Sequence, residues 1–205
     1  MINKIKLNII SNRKLCENEN LEKQIEKISS AYEKKMILEN FEIVALTLRE
    51  KDLDKNEYLK LIEEIYPICQ KYKINLILHQ NYDLNLDDKY NIEGIHLSYH
   101  IFKSLNQNIK AELIKKYKRI GVSIHSLYEA KEVENLGASY VVAGHIFETD
   151  CKKGLEPRGL KFVKDLSSTL TIPIFAIGGI DEKNSQSVID SGAFSVCMMS
   201  SIMKY

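Results

Sequence analysis

The sequence predicts an α/β fold, a single-domain (β/α)8 TIM barrel with a truncated final helix. Eight short apolar runs alternate with amphipathic stretches along the 205 residues, and no linker or low-complexity tract interrupts them. Several runs, such as Ile172–Ile177, are nearly continuous in apolar residues, which is typical of parallel strands covered on both faces. The alternation implies right-handed βαβ units. It is compatible with an open sheet, but eight units favour a closed barrel.

The apolar runs predict the strands in order. They are Ile5–Ile10, Glu42–Leu48, Ile74–His79, Ile92–Leu97, Arg119–Ile124, Ser139–Gly144, Ile172–Ile177 and Ala193–Met198. Between them, apolar residues three or four positions apart predict helices that each bury one stripe. These helices are Leu21–Met36, Tyr58–Tyr72, Ile109–Tyr117, Leu127–Leu136, Leu160–Leu170 and a short one around Val188.

Two units of the predicted barrel are irregular. The third helix region, Tyr82–Tyr90, is short and polar, and Ser200–Tyr205 provides barely one turn for the last helix. A barrel normally ends with a full outer helix. We therefore expect either the N-terminal segment or a partner subunit, as in a homodimer, to cover the strands left exposed.

The composition is that of an ordinary globular protein, with 44% apolar residues, 28% charged residues and a formal net charge of +1. This balance gives no reason to expect a nucleic acid or an anionic membrane as partner. The four cysteines lack CxxC or zinc-ligand spacing, so we expect free thiols in a reducing compartment. Without a signal-peptide pattern or an apolar run of ~20 residues, the chain is predicted to be cytoplasmic.

All five histidines fall at or near the C-terminal ends of predicted strands three to six. They are His79, His96, His100, His125 and His145. In a barrel these strand ends face one mouth, where active sites lie. A single histidine is more often structural, but five at one rim favour an active site. The HExxH motif is absent, and no metal site is predicted.

Two pairs of small residues predict a phosphate site. Gly178-Gly179 follows the seventh strand and Ser200-Ser201 follows the eighth. In barrels the loops after these strands often bind phosphate through backbone N–H groups and a helix N-terminus. A Gly-Gly pair alone most often marks a turn, but the two pairs together favour phosphate binding.

Cationic residues follow the second and sixth strands. We expect Arg49, Lys51 and Lys152 to bind anionic groups of a substrate at the mouth. A solvated surface charge is the simpler interpretation for Lys153, and for Lys51 taken alone.

With these segments placed, the sequence resembles the thiamine phosphate synthase/TenI family over most of its length. The matching stretches are Thr47–Asp52, Gly94–Leu97, Ile120–His125, Gly144–Gly154, Ile174–Ile180 and Ser191–Val196. The most specific is Gly144–Gly154 with its continuation to Gly159. The resemblance implies a (β/α)8 barrel that binds a small thiazole phosphate.

This family holds two activities, which the residues at the mouth distinguish. Synthases join a pyrimidine diphosphate to thiazole phosphate with Mg²⁺, a metal that prefers carboxylates. The TenI branch is a thiazole tautomerase that aromatises a carboxythiazole phosphate. Synthases carry an Asn-Asp pair after strand three and acids after strand four, where this chain has His79-Gln80 and Ser98–Ile101. The segment Glu148–Lys152 also resembles the TenI branch, not the Pro-Thr-x-Thr-Lys of synthases.

The TenI resemblance implies metal-free proton transfer without a cofactor. His125 matches the TenI catalytic histidine, and imidazole exchanges protons near neutral pH. Ser123, in the same motif, and Thr149 are expected to contact the substrate. Further candidates, each with a packing or loop-orienting role as the alternative, are His79, His145 and Cys151.

Two other functions stay open. One is a divergent thiamine phosphate synthase. The other is a non-catalytic sensor that binds the phosphate ligand and reports to a partner, although the retained His125 argues against it.

Overall fold

The computed structural model describes residues 4–84, 86 and 89–205. Eight parallel strands close into a barrel in chain order, and β8 pairs back onto β1. The strands are β1 Ile5–Ile10, β2 Phe41–Leu48, β3 Asn75–His79, β4 Gly94–Ser98, β5 Arg119–Ile124, β6 Tyr140–Gly144, β7 Ile174–Ile177 and β8 Ser195–Met198. The barrel prediction is confirmed, and each predicted strand overlaps an observed one.

Helices connect most of the strands. They are α1 Leu21–Glu33, α2 Lys55–Lys71, α3 Tyr99–Ser104, α4 Gln107–Lys116, α5 Leu127–Asn135, α6 Gly159–Ser167, α7 Ser185–Asp190 and α8 Ser200–Met203. The longest, α2, starts at a capping box in which Asp54 and Glu57 satisfy each other's backbone N–H groups. None of the helices in the described part of the chain is long and apolar enough to cross a membrane.

Two local predictions were wrong. The described residues of Tyr82–Tyr90 form turns and no helix, whereas 85, 87 and 88 lie outside the described residues. A helix that the sequence did not predict, α3, lies in the next connection and starts directly after β4, because the Ser98 side chain accepts the Ile101 N–H. Met36 is not in the apolar stripe of α1. The chain reverses at Lys35, which has φ 56°, and Met36 is left 68% exposed.

The last helix is a single turn, as predicted. Ile202 and Met203 of α8 are buried, and the helix lies against the Arg13–Leu15 turn that follows β1. This contact shows what α8 covers within the described residues. A partner subunit over the remaining surface stays a prediction.

The inside of the barrel changes from aromatic to polar toward its mouth. The rings of Tyr140 and Phe175 pack with their centroids 4.5 Å apart. Tyr140 lies across Gly121, where a Cβ atom would come within 2.3 Å of the tyrosine oxygen. Closer to the strand ends, Asn8 Nδ2 donates to Thr47 Oγ1 over 3.1 Å. The mouth therefore rests on a floor that can form hydrogen bonds.

Tyr58 of α2 ties this helix to two strand ends. Its hydroxyl donates to the Leu48 carbonyl at 2.5 Å and accepts from the His79 N–H at 3.1 Å. Burial raises the pKa of this hydroxyl far above its usual range, so it stays a donor at all working pH values. Both backbone groups belong to the predicted site: the Leu48 carbonyl directly precedes Arg49, and the N–H is that of His79.

We predict that Tyr58→Phe lowers the free energy of unfolding by about 2 kcal/mol, because two buried backbone groups lose their partner. Tyr66→Phe is the matched control. Tyr66 lies in the same helix and also bridges two backbone groups, but at an exposed site. Its loss should cost less than about 1 kcal/mol in the same urea titration, since water replaces the hydroxyl. Equal effects of the two variants would contradict the assignment.

Candidate active site

A cavity of about 290 Å³ opens at the C-terminal ends of the strands. Every residue that the sequence singled out for a substrate or phosphate lines it: Arg49, Lys51, His79, Ser123, His125, His145, Thr149, Cys151, Lys152, Gly178, Gly179, Ser200 and Ser201. These residues come from the ends of six strands and the loops that follow them, so only closure of the barrel brings them together.

His125 follows β5 and has a defined hydrogen-bonding partner. Its Nδ1 lies 3.3 Å from the Gly144 carbonyl oxygen at the end of β6. A carbonyl oxygen only accepts, so Nδ1 carries the hydrogen and Nε2 keeps its lone pair in the neutral ring. The His125 backbone N–H donates to Glu129, whose own N–H is capped by Ser126. The site thus holds an imidazole with one nitrogen ready to accept a proton.

His79 and His96 form a stacked pair on the floor of the cavity, with ring centroids 5.7 Å apart. His96 Nε2 lies 2.7 Å from Ser123 Oγ, a contact that orients the serine hydroxyl. Burial, with smaller contributions from nearby positive charge, lowers the pKa of His79 to about 2 and that of His96 to about 3. Both rings are therefore neutral near neutral pH. His100 lies four residues after His96, but it is exposed on α3 and does not reach the cavity.

These two histidines make stability depend on pH. In the unfolded chain a histidine has a pKa of about 6.5, so below that pH the unfolded state binds more protons than the folded state. The free energy of unfolding should be highest above pH 6.5 and decrease as the pH falls toward 3. The expected slope is up to about 1.4 kcal/mol per pH unit for each histidine.

We predict that His96→Gln flattens this slope between pH 6.5 and pH 5, as measured by urea unfolding at a series of pH values. His100→Asn is the control, because His100 is exposed and should leave the slope unchanged. If the wild type and His96→Gln show the same pH dependence, the assignment of a buried neutral His96 is wrong.

Three cations surround the upper part of the cavity: Arg49, Lys51 and Lys152. Burial lowers the pKa of Lys51, and repulsion from Arg49 and Lys152 lowers it further. The backbone of this segment is fixed, because the Arg49 N–H donates to Ser11 Oγ at 2.7 Å. Ser11 in turn donates to Glu50, which is buried and faces Arg13 instead of the cavity.

Carboxylates are missing from the cavity wall within the described residues. Gln80 lines the cavity after β3, at the position where the resemblance to synthases implies an acid for Mg²⁺. A second, more open groove of about 730 Å³ shares Thr149, Lys152, Gly179, Ser200 and Ser201 with the mouth and does contain acids. In the described part of the chain, however, no three of its His, Cys, Asp and Glu side chains are grouped to hold a metal ion. The donor set that the described residues provide does not fit Mg²⁺.

The Gly178-Gly179 turn is held by its carbonyl groups. The Gly178 carbonyl accepts from the Phe147 N–H at 2.9 Å, and the Gly179 carbonyl accepts from Asn184 Nδ2 at 2.8 Å. In a planar trans peptide the following N–H points the opposite way, so the N–H groups of Gly179 and Ile180 are directed away from these partners. Ile180 and both glycines line the cavity. The turn therefore offers donors suited to an anion.

The segment after β6 forms one wall of the cavity. His145 is buried, and its Nε2 lies 3.2 Å from the Leu155 carbonyl, which fits the loop-orienting alternative. Thr149 caps the short Asp150–Lys152 turn by accepting the Cys151 N–H. Cys151 is an exposed free thiol on this turn.

Sequence reasoning missed several polar residues of the cavity. Asn8, Thr47 and Ser98 all line it, together with His96, which had been noted only as one of five histidines. A signal was present for Asn8 and Thr47, because each is a polar residue within an apolar strand. Alternation along β1 places Asn8 on the same face as Ile10, which also lines the cavity.

Comparisons with known proteins agree with this architecture. A family described as thiamine monophosphate synthase matches residues 7–202. A thiamine-phosphate synthase of Clostridium acetobutylicum is 32% identical over 199 residues, which cover 97% of this chain and 87% of that protein. Another, from Clostridium tetani, is 34% identical over 156 residues, covering 76% of this chain and 72% of that protein.

Solved structures show the same fold. A thiamine phosphate pyrophosphorylase from Pyrococcus furiosus superimposes with a TM-score of 0.78 at 24% identity, covering 99% of this chain and 89% of that one. An N-acetylmannosamine-6-phosphate 2-epimerase from Clostridium perfringens superimposes with a TM-score of 0.67 at 16% identity, covering 99% and 90%. At these identities the structures support the barrel fold alone.

Proposed function

The chain belongs to the thiamine monophosphate synthase/TenI family, and on that premise we propose that it is a thiazole tautomerase. Its substrate in this proposal is a carboxythiazole phosphate, which it aromatises by proton transfer without a metal or another cofactor. Membership of this family of thiamine biosynthesis enzymes does not depend on which reaction the chain catalyses.

The charge of the cavity is the observation that supports the proposal most. Arg49, Lys51 and Lys152 line it, and the described residues add no carboxylate to its wall. Magnesium bound to a diphosphate needs oxygen ligands, usually carboxylates, which this wall does not provide. Three cations that repel one another instead favour an anionic substrate without a metal. A small molecule with a carboxylate and a phosphate matches the two groups of donors in the cavity, which are the three cations and the Gly178-Gly179 turn.

The proposed reaction uses His125 as the proton carrier. Nε2 takes a proton from a ring carbon of the substrate, and the imidazolium returns a proton at another position, so nothing is oxidised or reduced. The phosphate is held by the Gly178-Gly179 turn and by Ser200 and Ser201. Arg49 and Lys152 hold the carboxylate and stabilise the negative charge that develops as the proton leaves. Ser123 and Thr149 supply further hydrogen bonds to the substrate.

A thiamine phosphate synthase is the second candidate, because relatives that are 32–34% identical carry that name. The two activities are separated by a pair of assays on the purified chain. We expect aromatisation of carboxythiazole phosphate in the presence of a chelator. We expect no thiamine phosphate from pyrimidine diphosphate, thiazole phosphate and Mg²⁺.

If the purified chain forms thiamine phosphate with Mg²⁺ and does not aromatise carboxythiazole phosphate, it is a synthase and the tautomerase proposal is wrong. Tight binding of thiazole phosphate with neither turnover would favour the sensor. Both outcomes are read from the same protein preparation, so a misfolded sample is recognised by the loss of binding as well.

A further inference from the structure

One backbone carbonyl stands between His125 and an arginine outside the cavity. The Gly144 oxygen accepts from His125 Nδ1 at 3.3 Å and from Arg158 Nε at 3.2 Å. A carbonyl oxygen has two lone pairs, so these two donors occupy both of them. Arg158 itself does not line the cavity. The guanidinium can therefore influence His125 through the Gly144 carbonyl.

Arg158 is held in this place by its own backbone. Its N–H donates to the His145 carbonyl at 2.9 Å, and the next N–H, of Gly159, donates to the Ile146 carbonyl at 3.0 Å. The guanidinium also lies over the Phe162 ring, 5.3 Å from its centroid. The chain that leaves β6 thus returns to it at Arg158, and the side chain reaches back to the last residue of the strand.

We propose that Arg158 is a positioning residue that fixes the tautomer of His125 through the Gly144 carbonyl. The role in catalysis rests on the proposed function, whereas the effect on the tautomer does not. The bond from Nδ1 to Gly144 is long, so it is weak unless the acceptor is held in place. Arg158 prevents the Gly144 peptide from turning away. The hydrogen then stays on Nδ1 and the lone pair stays on Nε2, where a proton from the substrate is accepted.

The test compares Arg158→Gln with Arg158→Met. Glutamine places an N–H donor the same number of bonds from Cα as arginine Nε, whereas methionine places no donor there. We measure the ¹⁵N chemical shifts of the His125 ring, assigned by their loss in His125→Asn, together with kcat and KM. In Arg158→Met we expect a mixture of tautomers and a decrease in kcat of about 10- to 100-fold with little change in KM. Arg158→Gln should restore the wild-type shifts and most of kcat.

Arg119→Met is the control, because Arg119 lies at the opposite end of β5 in an ion pair with Glu93. It should leave the His125 shifts and kcat unchanged. The positioning role is refuted if Arg158→Met keeps the wild-type tautomer, or if Arg158→Gln is as impaired as Arg158→Met in both readouts.

The ring shifts need no substrate, so they separate two kinds of failure. If the wild type does not act on carboxythiazole phosphate but Arg158→Met still changes the tautomer, the proposed function fails and the positioning effect stands. If the wild type is active and the tautomer does not respond, only the inference about Arg158 fails.

Discussion

Replacing His125 by asparagine is expected to lower kcat for aromatisation about 10²- to 10⁴-fold, the usual contribution of a general acid–base. Asparagine retains an N–H donor that can reach the Gly144 carbonyl, so the end of β5 should keep its structure. It offers no group that takes a proton near neutral pH. The measurement is steady-state turnover of carboxythiazole phosphate, followed by the absorbance of the aromatic ring.

The control for this variant is binding. Calorimetric titration with thiazole phosphate should give nearly the same affinity for His125→Asn as for the wild type, because the proposed phosphate contacts lie in the segments that follow β7 and β8. Turnover of His125→Asn at the wild-type rate would show that another group moves the proton. Loss of both binding and turnover would instead indicate a structural role for His125.

Replacing Gly178 by alanine should give the largest loss of stability at the site. Gly178 has φ +105°, and an added Cβ would lie 2.3 Å from His145 Cβ and 2.7 Å from His145 Cα. Backbone strain and overpacking each cost about 1–3 kcal/mol, so we expect a decrease in unfolding free energy of about 2–6 kcal/mol. Thiazole phosphate should bind more weakly as well, because relief of the clash moves the turn that is proposed to bind the phosphate.

The control variant Gly154→Ala measures the cost of backbone strain without a new steric contact. Gly154 also has a positive φ, +82°, but an added Cβ would meet nothing within 4 Å. We expect it to cost about 1 kcal/mol and to leave phosphate affinity unchanged. Urea unfolding and calorimetry measure both quantities. Equal losses in the two variants would mean that the close approach of Gly178 to His145 has no influence.

The strands could be predicted because their signal is local. A parallel strand covered on both faces is a continuous apolar run, and Ile172–Ile177 and Arg119–Ile124 were placed within two residues of β7 and β5. Helices with a weak apolar stripe were harder to predict from the sequence. The α3 helix depends on the Ser98 cap and has only two buried residues, Tyr99 and Phe102. Its six residues are too few for a periodic pattern to be recognised.

The sequence was enough to predict that the site residues lie at one mouth of the barrel, because the fold fixes where the strand ends meet. Contacts between them could not be predicted, since each joins residues distant in the sequence. The bond between His96 and Ser123 spans 27 positions, and the one between His125 and Gly144 spans 19. The resemblance singled out His125 as the proton carrier, but no sequence pattern indicates that His79 and His96 are buried and neutral.

A crystal structure with the aromatic carboxythiazole phosphate bound would test the central claim most directly. We predict phosphate oxygens about 2.7–3.2 Å from backbone nitrogens of the Gly178–Ile180 turn. The carboxylate should face Arg49 and Lys152, and a ring carbon should lie within about 3.5 Å of His125 Nε2. A phosphate bound among Arg49, Lys51 and Lys152, with the ring beyond the reach of His125, would contradict the account.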